Sequence, residues 1–335
     1  MNKIERIKCA INGEKVDKLP YAFWSHFPKL DLDSDLIAKK TYEFYKEYDI
    51  DFVKTMNNGM YSIEDYGCEI DFSPIFQGGV AKLTKTPINE PSDWLKIKDL
   101  DITKGTLARE LLYLEKILKM LKDENVPVIF TVFTPITTAD KLSGKLFRKH
   151  IEEGHGEVVH KALKEIAKTT SKLVEKAIEM GADGIFLASQ MTCYDVLDEK
   201  TYLEYGKPYD LQVLEAASKA WFNVIHVHGD NVLFDIIKDY PVQVINWHAY
   251  ETLPEIDEAK DMSGKCLMGG IKRMDITNKK RNEIRNEIYR TIKVMKNKKH
   301  ILTPGCVVRY PLDREMFKFI KEAKEEIESK LNNNF

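Results

Sequence analysis

No stretch of this 335-residue chain holds the roughly 20 consecutive apolar residues that cross a bilayer. Its opening, Met1-Asn-Lys-Ile-Glu-Arg-Ile, carries charge where a secretory signal would place an apolar core. The five cysteines, at 9, 68, 193, 266 and 306, are odd in number and follow no pairing rhythm. That excludes a disulfide scaffold and points to a reducing compartment. Basic residues do not outnumber acidic ones (51 against 53), and no basic stripe gathers them, so nucleic acid has no electrostatic footprint here. A phosphate loop, a dinucleotide fingerprint and a serine nucleophile elbow are all missing. These absences predict a soluble, cytoplasmic protein that engages neither membrane nor nucleic acid and acts on a small molecule.

What is present is alternation. Short apolar runs fall at Leu19–Trp24, Asp51–Met56, Pro127–Phe133, Gly184–Ala188, Asn223–Val227, Val242–Trp247, Lys265–Gly269 and Ile301–Thr303. Each suits a strand covered on both faces. Amphipathic helical patterns lie between most of them: Ser34–Tyr48, with Ser34 as N-cap and Leu36, Ile37, Tyr42, Phe44 and Tyr45 for its buried side, then Glu157–Met180, Asn231–Asp239, Glu255–Met262, Thr277–Lys296 and Asp313–Leu331. Eight strand–helix repeats predict an α/β chain folded as a (β/α)8 TIM barrel, with residues 1–335 forming a single domain. The stretch Tyr61–Thr106, with Gly78-Gly79, Pro87 and Pro91, reads as a β-hairpin and loop inserted after the second strand. Thr134–Gly156, rich in Thr, Gly and charge, reads as a long loop able to cover the mouth.

Chemistry in such barrels gathers at the carboxyl ends of the strands. Asn223-Val-Ile-His226-Val-His228-Gly229 puts two imidazoles on one strand face, because side chains alternate with period 2. Cys306 follows another strand in the turn Pro304-Gly305-Cys306. Two histidines and a thiol are a plausible zinc set with one position open. The competing reading is a pair of histidines bonded to backbone groups in a polar mouth. His26 follows Trp24 on the first strand's face, and His248 follows Asn246-Trp247, within reach of substrate or of a metal ligand. Asn57, Asn58 and Gln190 add polar groups at other strand ends, and Trp247 reads as a wall of the pocket.

In order and spacing the chain resembles the uroporphyrinogen decarboxylase superfamily. The resemblance is carried by Arg6, Ala10-Ile-Asn-Gly-Glu14 and Val16-Asp-Lys-Leu-Pro20, by Asp51-Phe-Val-Lys54 and Tyr66-Gly-Cys-Glu-Ile70, and by Gly181-Ala-Asp-Gly-Ile185. It continues through His226-Val-His228-Gly229 to Thr303-Pro-Gly-Cys306 and Pro311. It implies a (β/α)8 barrel with a deep cleft at its carboxyl face. True decarboxylases of the family carry an arginine-rich segment after the first strand and an aspartate after the second. Here those places hold Phe23-Trp-Ser-His-Phe-Pro-Lys29 and Met56-Asn-Asn-Gly59. An octacarboxylate needs several cationic donors, and the expectation is that this mouth lacks them.

The family's zinc methyltransferases use His-x-Cys-Gly on the fifth strand and a Pro-Gly-Cys turn at the last. The resemblance therefore implies zinc held by His226, His228 and Cys306, with His228 in the place of a cysteine. It implies a methyl group passed between a small thiol or methylated substrate and a corrinoid (cobalamin) presented by a carrier protein. Asn58, Gln190 and His248 then orient substrate, His26 relays a proton, and Trp24, Asn57 and Trp247 face the cofactor. The alternatives are a uroporphyrinogen-type decarboxylase and a non-catalytic barrel that binds a tetrapyrrole or a corrinoid protein. Family members often pair as homodimers, which no residue here demands.

Overall fold

The computed structural model describes residues 1–77 and 80–332. A curled sheet of seven parallel strands forms its centre, in the order β1 (Val53–Lys54), β4 (Val128–Phe133), β5 (Gly184–Ser189), β6 (Val224–Val227), β7 (Val244–Trp247), β8 (Cys266–Ile271) and β9 (His300–Pro304). Every residue of these strands is buried. That explains why they read as unbroken apolar runs rather than alternating ones. Helices separate most successive strands and cover the sheet, and none of those described is long and apolar enough to cross a membrane.

The run expected as the first strand is not a ladder strand. Tyr21 and Ser25 form isolated parallel bridges to Leu302 and Val308. Ala22 N donates to Leu302 O, Leu302 N to Pro20 O, and Asp51 N to Tyr21 O. The segment therefore bonds to β9 on one side and to the approach of β1 on the other. At its start, Leu19 turns to side chains instead. Its N–H donates to Glu328 Oε1 at 2.6 Å and its carbonyl accepts from Lys324 Nζ at 2.9 Å. Both partners come from the last helix, Arg314–Asn332.

An ion network, buried at Arg6 and Asp51 and partly exposed at Asp17, fixes the same region. Arg6 grips Asp17 with Nε and Nη2 (2.7 and 2.8 Å) and reaches Asp51 Oδ1 with Nη1 at 2.6 Å. Asp51 Oδ2 accepts from Tyr21 N at 2.9 Å. One guanidinium thus ties the N-terminal helix (Lys3–Asn12) to the segment that carries Trp24 and His26 and to the strand that carries Lys54. Removing one partner of a buried pair leaves a desolvated charge behind. Arg6→Ala is expected to lower unfolding free energy by about 3 kcal/mol, read as a fall in the urea midpoint with an unchanged slope. Loss of under 0.5 kcal/mol would show the network to be dispensable.

Other expectations are corrected. Asp33, not Ser34, caps the helix Ser34–Tyr48, because its side chain accepts from the N–H groups of Asp35 and Leu36. Leu36 is 47% exposed, and Ala38, Thr41 and Tyr48 join the buried face. The pattern over Asn231–Asp239 yields only Phe234–Ile237, and that over Thr277–Lys296 splits into Arg273–Thr277 and Arg281–Met295. Thr134–Gly156 is not a loop over the mouth. It holds the helices Pro135–Leu142 and Phe147–Glu152. Ile136, Ala139 and Leu142, spaced at i, i+3 and i+6, are buried on one face, so the helical period outweighs the polar composition. Within Tyr61–Thr106 an antiparallel ribbon pairs β2 (Glu69–Asp71) with β3 (Lys82–Lys85). The Gly78-Gly79 turn lies outside the described residues.

Candidate metal centre

Register within the sheet sets the site. On β6, His226 lies level with Ala188 of β5 and Asn246 of β7, and alternation sends its imidazole toward the sheet's interior. Its Nδ1 meets Asn246 Oδ1 at 2.6 Å, while Asn246 Nδ2 donates to Met268 O at 2.8 Å. The second bond orients the amide, so its oxygen must accept from His226. His226 therefore carries its proton on Nδ1 and presents the Nε2 lone pair, 3.7 Å from Cys306 Sγ. His228, just past the strand, brings Nδ1 to 3.4 Å from the same sulfur.

Cys306 reaches this point because Gly305 lets two backbones touch. A Cβ at Gly305 would stand 2.7 Å from His248 Cα and from Trp247 O, so only glycine allows the end of β9 to lie against the end of β7. That approach also recruits His248. Its Nδ1 is 3.5 Å from Glu251 Oε2, and its Nε2 is buried with no hydrogen-bond partner among the described residues. One donor atom from each of His226, His228, His248 and Cys306 lies within 4.8 Å of the other three. Tetrahedral zinc with bonds of 2.0–2.3 Å needs ligand separations of roughly 3.3–3.8 Å. Contraction by about an ångström would complete such a shell. The orphaned His248 nitrogen and the chemistry of the donor set both fit a zinc ion.

Electrostatics agrees with that fit. Burial holds His226 well below the ordinary imidazole range, with His248 and His228 adding to the effect. Burial, assisted by Arg273, lowers His228 to about 4; burial and His228 lower His248 to about 3. All three imidazoles are thus neutral near pH 7, as metal ligands must be. Burial raises the Cys306 thiol, against the pull of Arg273 and Lys54. The His226–Asn246 bond makes the amide a positioning group. Asn246→Ala is expected to weaken zinc affinity by about 10–100-fold in competition with a chromophoric chelator; an unchanged affinity would remove Asn246 from the site.

A cavity of about 330 Å³ opens onto the cluster. Trp24, His26, Asn57, Gln190, His226, His228 and Cys306 line it. His26 has a buried Nδ1 without a partner among the described residues, and burial together with Lys54 lowers it to about 4. Asn57 spends its amide on Glu110 (2.6 Å) and Thr55 (2.5 Å). Asn58 is not in the cavity wall. It is buried, with Oδ1 accepting from Met60 N at 2.9 Å. Trp247 is not there either: its Nε1 donates to Pro254 O at 2.9 Å and its ring packs on Phe234. The period-2 rule dictates this, since Asn246 and His248 already face the interior. His248 sits with the metal donors rather than in the wall.

The mouth does not lack cations. Lys54, Arg273 and Arg309 all line the cavity, and none of them lies in the segment Phe23–Lys29 at the end of the first run. Lys54 was legible as a lone cation between Val53 and Thr55. Arg273 had a weaker signal, a basic pair directly after the strand end Gly269-Gly270-Ile271.

Residues 2–327 match the family described as uroporphyrinogen decarboxylase (URO-D). Among solved structures, a methyltransferase from Methanosarcina mazei is similar over 97% of this chain and 99% of its own, with a TM-score of 0.84 at 18% identity. A B12-independent methionine synthase from Shewanella sp. W3-18-1, in complex with selenomethionine, is similar over 94% of this chain and 97% of its own (TM-score 0.59, 12% identity). A putative vitamin-B12 independent methionine synthase from Listeria monocytogenes covers 93% and 99% (TM-score 0.55, 12% identity). At these identities the likeness is one of fold. No curated protein sequence matches the chain.

Proposed function

The chain belongs to the uroporphyrinogen decarboxylase family, and on that premise we propose that it is a zinc-dependent methyltransferase. The observation that carries the reading is the convergence of three imidazoles and one thiol at the carboxyl ends of β6, β7 and β9, beside a cavity. His226, His228 and Cys306 would hold the ion, with His248 in reach as a fourth donor. Zinc there supplies Lewis acidity that lowers the pKa of a bound thiol. Asn246 holds His226 by a hydrogen bond, and Glu251 Oε2 stands 3.5 Å behind His248 Nδ1. Trp24 and Phe186, with ring centroids 5.5 Å apart, give the cavity an apolar wall that excludes water from the reacting end. Gln190 offers an amide to the substrate, and neutral His26, whose Nδ1 has no partner among the described residues, accepts or donates a hydrogen bond there.

The methyl group passes between a small thiol or methylated substrate and a corrinoid on a carrier protein that docks at the cavity mouth. The test is direct. Zinc-loaded chain is mixed with methylcobalamin and a panel of thiols, and demethylation is followed by the corrinoid's visible spectrum. Turnover that requires stoichiometric zinc is the expected result. Freshly purified protein without bound metal, and no turnover after reloading, would overturn the reading.

Decarboxylation of a porphyrinogen has one observation in its favour, the three cations in the cavity. Against it stands size: about 330 Å³ is at the lower end of the ~300–1,000 Å³ range for drug-sized ligands, and an octacarboxylate tetrapyrrole is larger than those. Incubation with uroporphyrinogen that yields coproporphyrinogen would reverse this ranking.

A further inference from the structure

The cavity's charge is one-sided. Lys54, Arg273 and Arg309 line it, and among the described residues no carboxylate does. Arg309 is exposed, whereas Arg273 is partly buried. Its Nε is buried without a hydrogen-bond partner among the described residues. The acid facing it, Glu251 Oε2, stands 4.0 Å away, beyond hydrogen-bond length, and is shared with His248. Lys54 Nζ donates to Thr55 O at 3.2 Å and lies 4.7 Å from the Phe186 ring centroid, and burial lowers it to about 7, so it is only partly charged near neutrality. A zinc ion on three imidazoles and one thiolate would add a further formal +1. Arg309 is exposed to solvent, but a buried guanidinium donor left unmet, with its facing acid beyond hydrogen-bond length, favours a ligand that brings its own acceptor.

We propose that the substrate of this cavity carries an oxyanion on an apolar body, with Arg273 as the principal contact for the oxyanion and Arg309 as a second donor. Arginine's planar fork matches a carboxylate through two parallel N–H bonds. The apolar body follows from the rest of the wall, which includes Trp24, Phe133, Phe186 and Val308. The proposal rests on the methyl-transfer reading for what happens at the substrate's other end. The anion contact itself depends only on the cavity.

The experiment compares 3-phenylpropionate with its neutral amide, 3-phenylpropanamide, by calorimetric titration of the full chain. It is run as purified and again after chelation, so that direct carboxylate–metal contact is separated from the arginine. The acid is expected to bind about tenfold more tightly than the amide in both preparations. Arg273→Gln is expected to abolish that preference and Arg309→Gln to reduce it a few-fold, while Cys266→Ala, outside the cavity lining, leaves it intact. Should Arg273→Gln fail to fold, Arg273→Lys keeps the charge but loses the fork, and a several-fold drop in preference is expected. Equal affinities, no binding of either probe, or a preference that survives the substitutions overturns the proposal. Retained anion preference in a chain without methyl transfer would instead sink the methyl-transfer reading and leave the anion site standing.

Discussion

Alanine in place of Cys306 is expected to strip the chain of stoichiometric zinc and to lower its affinity by about 10²–10³-fold. The magnitude follows from dividing apparent zinc-site free energies of roughly 10–16 kcal/mol among four ligands, about 2.5–4 kcal/mol each. The thiolate is also the only anionic donor in the cluster. Without it the ion sits among neutral imidazoles with Arg273 and Lys54 nearby, and its charge is opposed rather than offset. Cys266→Ala serves as the control. That thiol is fully buried on β8, outside the cluster, and burial pushes it well above the usual thiol range. Elemental analysis after exhaustive dialysis separates the two variants. Equal zinc in both would mean that the sulfur at the end of β9 is not a ligand, and the proposed mechanism would fall with it.

The same cluster marks how far the residues could be read in advance. His226 and His228 were legible because a strand's alternation is rigid enough to fix the direction of side chains before any fold is known. Cys306 was legible from Pro-Gly, although the reason for the glycine appears only when β9 is seen pressed against His248 and Trp247. The fourth donor was harder to place. His248 follows β7 by one residue, and its position among the ligands rather than behind them depends on where Glu251 and Gly305 hold it. Trp247 shows the opposite case, since strict use of the alternation that placed His226 would have turned it away from the pocket.

Long-range features left fainter traces. The run Leu19–Trp24 carries a strand's composition, yet its first residue is satisfied by side chains more than 300 positions away, on Lys324 and Glu328. Nothing in the local pattern marks that arrangement. The cations of the cavity come from β1, from the start of the helix after β8 and from the segment after β9. No single stretch looks basic, so their convergence depends on tertiary structure alone.

Lowering the pH from 7 to 4 is expected to unfold the metal-free chain cooperatively, and the histidines are the cause. Burial depresses His26, His228 and His300 to about 4 and His248 to about 3, against about 6.5 in an unfolded chain. Between those limits the unfolded state binds more protons than the native one, so stability falls as pH falls. The loss begins near pH 6.5 and grows until the native imidazoles themselves titrate. His300 lies away from the metal donors, buried with Nε2 3.1 Å from Gly269 O. Its shift alone amounts to something on the order of 3 kcal/mol at the acid end. Four such groups together rival the ~5–15 kcal/mol that holds a typical native state. Zinc opposes the transition, because a bound ion must be displaced before His226, His228 and His248 can be protonated. Loaded protein should therefore unfold at a lower pH than chelated protein. Replacing His300 by phenylalanine should lower the midpoint in both, by a similar amount. The measurement is circular dichroism against pH, with and without chelator. An acid midpoint that zinc does not move would mean that the imidazoles of the cluster and the metal do not compete for the same lone pairs.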